Sequence, residues 1–181
     1  MTGAVLLALL AVEGVTIVFR QQLLTLHFFI GMLLVGPVLL KICSTGYRFV
    51  RYYTGAAPYV RRGPPALLLR LLGPVVIATS VGVIGSGVAL AIAGPGAPQW
   101  IFVHKATFIL WFGAMTVHVL WYAPRLPRLL RSSSAGDSAR AVLAGAGRRW
   151  LLLLAAIAVG LVIAAATYHL AGPWTGQAIS G

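Results

Sequence analysis

The sequence predicts an all-α integral membrane protein with five transmembrane helices, and three observations support this fold class. The chain has 181 residues, of which 60% are apolar and only 9% are charged, whereas soluble domains are ~45–50% apolar and ~25% charged. Its mean hydropathy is +0.94. The apolar residues also form runs of about the ~20 residues that a helix needs to cross the hydrocarbon core. Lipid is therefore the predicted environment.

Five apolar segments divide the chain, residues 1–181, which we treat as a single transmembrane domain. They are Gly3–Phe19, Leu23–Thr45, Pro65–Ala93, Trp100–Tyr122 and Trp150–Leu170. The first is short, but it carries Glu13 within its apolar stretch and has no A-x-A site before Arg20. A cleaved signal peptide would have an uncharged apolar stretch followed by such a cleavage site, so we expect a retained helix.

Basic residues set the expected orientation. The net charge of +12 comes from residues that interrupt apolar runs, so we exclude a nucleic-acid-binding patch. The connections after the second and fourth segments are rich in arginine, whereas the opposite side has little more than Arg20 and Lys105. By the positive-inside rule, the N-terminus is expected in the cytoplasm and the C-terminus outside a bacterial plasma membrane. The arginines of the two connections are Arg48, Arg51, Arg61, Arg62, Arg125, Arg128, Arg131, Arg140, Arg148 and Arg149.

The second and fourth segments each carry an aligned pair of ionisable residues. His27 and Lys41 are 14 residues apart, as are His104 and His118. Fourteen residues turn a helix through ~1400°, about 40° short of four turns, so both members of a pair face the same way, ~21 Å apart along the axis. Because the two segments cross in the same direction, His27 should face His104 near the outer surface. Lys41 should then face His118 near the cytoplasm.

Two imidazoles that face each other at one depth are the axial ligands that a six-coordinate haem b needs. The spacing predicts a haem between His27 and His104, and it offers a second site between Lys41 and His118. The single Cys43 excludes covalent haem attachment through CxxCH. A haem also favours small residues on the facing helices, although such residues equally promote helix packing. The candidates are Gly31, Gly36, Ser80, Gly82, Gly85 and Gly87.

These residues resemble the membrane cytochrome b family, the di-haem four-helix-bundle electron-transfer subunits that include the b/b6 and b561-like proteins. The resemblance covers roughly Gly3–Tyr122 and rests on LHFFIG around His27, the step to Lys41, and HKATFILWFGAMTVH from His104 to His118. It implies a haem-binding four-helix core with paired ligands on parallel second and fourth helices. The sequence departs from the family in having Lys41 where the family has histidine, and in lacking a PEWY-like quinol-site motif.

Several residues keep more than one interpretation. Lys41 is either an amine ligand to the inner iron or a side chain that reaches the interface or a propionate. His169 is either an alternative outer ligand, part of a quinone pocket or a residue without a role in binding. Glu13 is either a structural hydrogen-bonding residue or a proton carrier beside a quinone. The remaining candidates hold haem propionates or only anchor the orientation: Arg48, Arg51 and Tyr52 inside, Arg20 and Lys105 outside.

The expected function is electron transfer across the membrane between a redox partner subunit and a quinone or other acceptor. Ligation from both sides leaves no open iron position, which favours electron transfer over oxygen activation. The chain has no separate catalytic domain, so we expect a subunit of a respiratory-type oxidoreductase rather than a stand-alone enzyme. The alternative is a haem-free small transporter or assembly scaffold, in which Glu13, Lys41 and the histidines form a polar path.

Overall fold

The computed structural model describes residues 2–61, 63, 67–125 and 146–177. In this part of the chain the elements are helices, without strands, so the all-α expectation is confirmed there. Three single helices, α2 (Arg20–Tyr53), α4 (Leu67–Ala93) and α5 (Pro98–Tyr122), are long and apolar enough to cross a membrane. A fourth such segment, Gly147–Thr175, includes most of α6 (Ala146–Thr167). These four segments indicate a multi-pass membrane protein.

The first helix, α1 (Thr2–Val18), has 17 residues and is shorter than the other spans. It forms an antiparallel hairpin with α2, because the backbone leaves helical geometry at Phe19 and again at Leu23. Leu6 then packs against Ile30 and Leu34 of α2. Whether α1 is a fifth span stays a prediction.

Helix α2 is longer than its apolar stretch. The predicted end at Thr45 was wrong, because α2 continues to Tyr53 and has 34 residues. Its arginine and tyrosine residues are compatible with a helix, and the chain turns only at Gly55, whose φ of 76° favours glycine. Arg48, Arg51 and Tyr52 therefore lie on the last turns of a helix rather than in a loop.

Two glycines allow α2 and α6 to cross closely. A Cβ atom at Gly36 would lie 2.0 Å from the carbonyl oxygen of Ala156, and one at Gly160 would lie 2.1 Å from that of Leu33. Both distances are shorter than any real contact, so only glycine fits. Gly36 thus serves helix packing, one of the two roles that the sequence left open.

Helices α4 and α5 form a second antiparallel hairpin, joined by a short turn in which Gly94 has a φ of 75°. Near the middle of the hairpin, the indole Nε1 of Trp111 donates a hydrogen bond of 3.0 Å to Ser80 Oγ. The third and fourth predicted segments match these helices within two residues, although Pro65, the predicted start, lies outside the described residues.

The two hairpins meet where α2 packs against α4, whereas α2 and α5 do not pack closely in the described residues. Met32 contacts Val88 and Ala91 at one end, and Arg70 donates a 3.3 Å hydrogen bond to the Tyr53 hydroxyl at the other. These pairs make α2 antiparallel to α4 and hence parallel to α5. An apolar cavity of about 150 Å³ lies between α2 and α4.

The remaining elements are short. Helix α3 (Ala57–Val60) follows α2, and a 3₁₀ turn (Ala123–Arg125) follows α5. Helix α6 ends three residues before the predicted Leu170, in a 3₁₀ turn (Tyr168–Ala171) that leads into α7 (Gly172–Gln177). The predicted positions Arg62, Arg128, Arg131 and Arg140 lie outside the described residues.

Candidate cofactor site

The structure brings together the two pairs that the spacing predicts. His27 of α2 lies within electrostatic interaction range of His104 of α5, and Lys41 of α2 lies within such range of His118 of α5. The parallel course of α2 and α5 produces both pairs, since each helix repeats the same 14-residue step. The gap between these two helices therefore has potential ligands on both sides at two levels.

The His27 ring is held by helix α1. Its Nδ1 atom lies 2.9 Å from Oε1 of Glu13 and 3.1 Å from Oγ1 of Thr16. Thr16 is 1% exposed and Glu13 is also buried. The carboxylate, the hydroxyl and the ring form one buried polar cluster in the α1–α2 hairpin, and this cluster fixes the plane of the imidazole.

The His104 ring is held by helix α4. Its Nδ1 atom lies 3.1 Å from Oγ of Ser86, and that hydroxyl also lies 3.2 Å from Thr107 Oγ1. A Cβ atom added to Gly87 would lie 3.1 Å from Cε1 of the ring, so this glycine leaves space for the imidazole. His104 therefore has neutral hydrogen-bonding partners, in contrast to the carboxylate beside His27.

Both rings use the same nitrogen for these contacts. The side-chain partners of both rings contact Nδ1, and His104 also forms a hydrogen bond with the backbone of Val83. A histidine that ligates a metal through Nε2 commonly has its Nδ1–H bound to a carboxylate or another oxygen. The arrangement at each ring is of this kind.

The Lys41–His118 level is less constrained. Lys41 is exposed on α2, and it experiences the positive charge of Arg48. The Nδ1 atom of His118 is buried and has no hydrogen-bond partner among the described residues. The ring of His118 contacts that of Tyr122, with centroids 5.1 Å apart. In the part of the chain that the structure describes, His118 therefore lacks the Nδ1 partner that holds each ring of the His27–His104 pair.

The predicted small residues have different surroundings. Gly31 faces Glu13, whose Oε1 would lie 3.3 Å from an added Cβ atom, and Gly82 faces Thr107 at 3.2 Å. Gly85 has open space within 4 Å and lines the apolar cavity between α2 and α4. Of the three, only Gly85 borders free volume.

The predicted propionate contacts lie at the ends of the bundle. Tyr52 is half-buried, and the four basic side chains are exposed and form no hydrogen bond within the described residues. Those four are Arg20, Arg48, Arg51 and Lys105. His169 is exposed in the 3₁₀ turn after α6, so the structure does not bring it into either pair.

Sequence reasoning missed the partners of the ring nitrogens. Thr16 is three residues after Glu13 on the same face of α1, a spacing that was visible but not used. Ser86 of α4 was overlooked, although its hydroxyl lies in the glycine-rich stretch. The Nε1 atom of Trp174 is buried and unpaired among the described residues, and nothing in the sequence pointed to it.

The facing side chains are pairs rather than larger clusters. Among the described residues, no group of three or more His, Cys, Asp or Glu is arranged to hold a metal ion. Comparison with protein-family models, with curated proteins and with solved structures gives no match to this chain.

Proposed function

We propose that this protein is an integral-membrane b-type cytochrome that transfers electrons across the membrane. The observation that carries the proposal is the pair His27 and His104, which interact electrostatically and each have Nδ1 held by a side-chain oxygen of a neighbouring helix. Two such imidazoles on parallel helices provide the donor set of a six-coordinate haem b. A haem bound there would supply reversible one-electron chemistry.

The protein's own residues would hold that group and exclude competing reactions. His27 and His104 would occupy both axial positions, which leaves no open site for oxygen. Helix α4 packs against both α2 and α5. Ser86 and Glu13 fix the two ring planes from opposite sides of the gap.

Lys41 and His118 are proposed to hold a second haem nearer the cytoplasm. The support is their proximity. The two levels are ~21 Å apart along the helices, which covers most of the ~30 Å hydrocarbon core. The electron donor and acceptor are proposed to be a redox partner subunit and a quinone, and the arginine-rich end of the bundle is proposed to face the cytoplasm of a bacterium.

The test is the absorption spectrum of the protein purified from cells supplied with haem. A b-type cytochrome gives a sharp Soret band and, after reduction with dithionite, a narrow α band. A colourless preparation that is folded and inserted would refute the proposal. It would favour the haem-free alternative, in which the buried cluster of Glu13, Thr16 and His27 is part of a polar path.

A further inference from the structure

The contact between Glu13 and His27 joins the first helix to the candidate ligand. Glu13 is one of two acidic residues in the chain, and it is buried within an apolar helix. Burying a carboxylate is unfavourable unless it is well paired. Its Oε1 atom lies 2.9 Å from His27 Nδ1, so this contact is what offsets the cost.

The geometry around Thr16 assigns the proton. The Thr16 hydroxyl has one hydrogen, and its shortest acceptor is the backbone carbonyl of Glu13 at 2.6 Å. The oxygen lone pairs of Thr16 are then available to His27 Nδ1, 3.1 Å away. The carboxylate of Glu13 and the lone pair of Thr16 both lie beside His27 Nδ1, and both need a hydrogen-bond donor at that nitrogen. The Nδ1 atom of His27 therefore carries the proton, and Nε2 has the free lone pair.

Resting on the function proposed above, we infer that Glu13 is a positioning residue for the outer haem. It selects the Nε2-ligating tautomer of His27 and lowers the reduction potential of that haem. A carboxylate that accepts the Nδ1–H hydrogen bond makes the imidazole a stronger donor to a metal. Its negative charge also stabilises the oxidised state, which has one more positive charge than the reduced state. In a low-dielectric interior this difference is weakly screened.

The opposite ligand provides a matched comparison within the same site. His104 has the neutral Ser86 hydroxyl at 3.1 Å, where His27 has a carboxylate at 2.9 Å. Removing Ser86 therefore removes a hydrogen bond without removing a charge. If the charge of Glu13 controls the potential, Glu13→Gln must act more strongly than Ser86→Ala.

The first measurement is a redox titration, followed optically, of the wild type, Glu13→Gln and Ser86→Ala. Glutamine keeps the size and an acceptor oxygen but removes the charge. We expect the midpoint potential of the outer haem to rise in Glu13→Gln by at least the ~59 mV that corresponds to a tenfold change for one electron. Ser86→Ala should shift it less. An unchanged potential in Glu13→Gln, or a larger shift in Ser86→Ala, overturns the inference.

The second measurement does not need haem. Nitrogen NMR of ¹⁵N-histidine-labelled, haem-free protein reports which ring nitrogen is protonated, with His27→Ala for assignment. We expect the Nδ1–H tautomer of His27 in the wild type and in Glu13→Gln, whose amide oxygen still accepts, and a larger share of Nε2–H in Glu13→Leu, which has no acceptor oxygen. A wild type without the Nδ1–H tautomer, or an unchanged tautomer ratio in Glu13→Leu, overturns the inference, including when a variant fails to retain haem. A wild type without haem refutes the proposed function instead, so the two failures are distinct.

Discussion

Membrane helices contain few ionisable side chains, because each is costly to bury in hydrocarbon. In this protein His27, His104 and His118 lie inside long apolar helices, where His27 interacts electrostatically with His104, and His118 with Lys41. This pairing was predictable from the 14-residue spacing, since residue spacing fixes rotation and rise along a helix. The Nδ1 partners Thr16 and Ser86 were not predictable, because α1 and α4 are apolar on all sides and hydropathy does not fix their rotation.

At the residue scale, we predict that His27→Ala and His104→Ala each lose one low-spin haem while the protein still inserts. Either change removes an axial ligand of the outer haem. Haem content per chain and the low-temperature α band measure the loss. His169→Ala is the control, because this exposed histidine lies outside both pairs, and it should keep the full content. Full retention in both single variants would contradict the assignment.

A second residue-scale prediction concerns Lys41. If its amine ligates the inner iron, Lys41→Ala opens a coordination position and gives a high-spin haem that binds carbon monoxide. Lys41→His should restore a low-spin spectrum, because imidazole is a common ligand of haem iron. Electron paramagnetic resonance of the oxidised proteins distinguishes these states. Spectra of the alanine variant identical to those of the wild type, with two haems still bound, would refute lysine ligation.

At the scale of elements, hydropathy locates helices better than it locates their ends. The third and fourth segments were placed within two residues, because a turn with Gly94 interrupts them. The end of α2 was missed, since an apolar run marks the part in lipid and the helix continues through polar residues to Tyr53. The close crossing of α2 and α6 was also beyond prediction, because glycines in membrane helices have several uses.

The crossing leads to a prediction for α2. Gly36→Ala places a methyl group where the backbone of α6 now lies, so it should destabilise the fold by about 1–3 kcal/mol. Gly46→Ala in the same helix has nothing within 4 Å and should be neutral or stabilising by up to about 1 kcal/mol. Unfolding in detergent micelles measures both. Equal stability of the two variants would contradict the described crossing.

In the bundle as a whole, two antiparallel hairpins meet through α2 and α4, and α6 packs against α2. Basic residues lie at one end of this bundle, where Arg70 contacts Tyr53 and where Arg48 and Arg51 end α2. The order of the helices follows from the chain, but their lateral arrangement does not, because lipid-facing and protein-facing surfaces are equally apolar.

The charge distribution predicts the topology. In a Cys43→Ser background, Thr54→Cys should react with a membrane-impermeant thiol reagent only from the cytoplasmic side, since it follows the arginine-rich end of α2. Gly96→Cys, in the turn between α4 and α5, should react only from outside. Labelling in intact cells and in inverted vesicles separates the two cases. The reverse pattern would invert the bundle and exchange the inner and outer sites.

The most direct test of the central claim is the number of haem b molecules per chain in the purified wild-type protein. The pyridine haemochrome assay gives the haem concentration, and quantitative amino-acid analysis gives the protein concentration. The two facing pairs predict two haems per chain, one held by His27 and His104 and one by Lys41 and His118. A folded, membrane-inserted protein without haem would contradict the claim that these pairs are ligands.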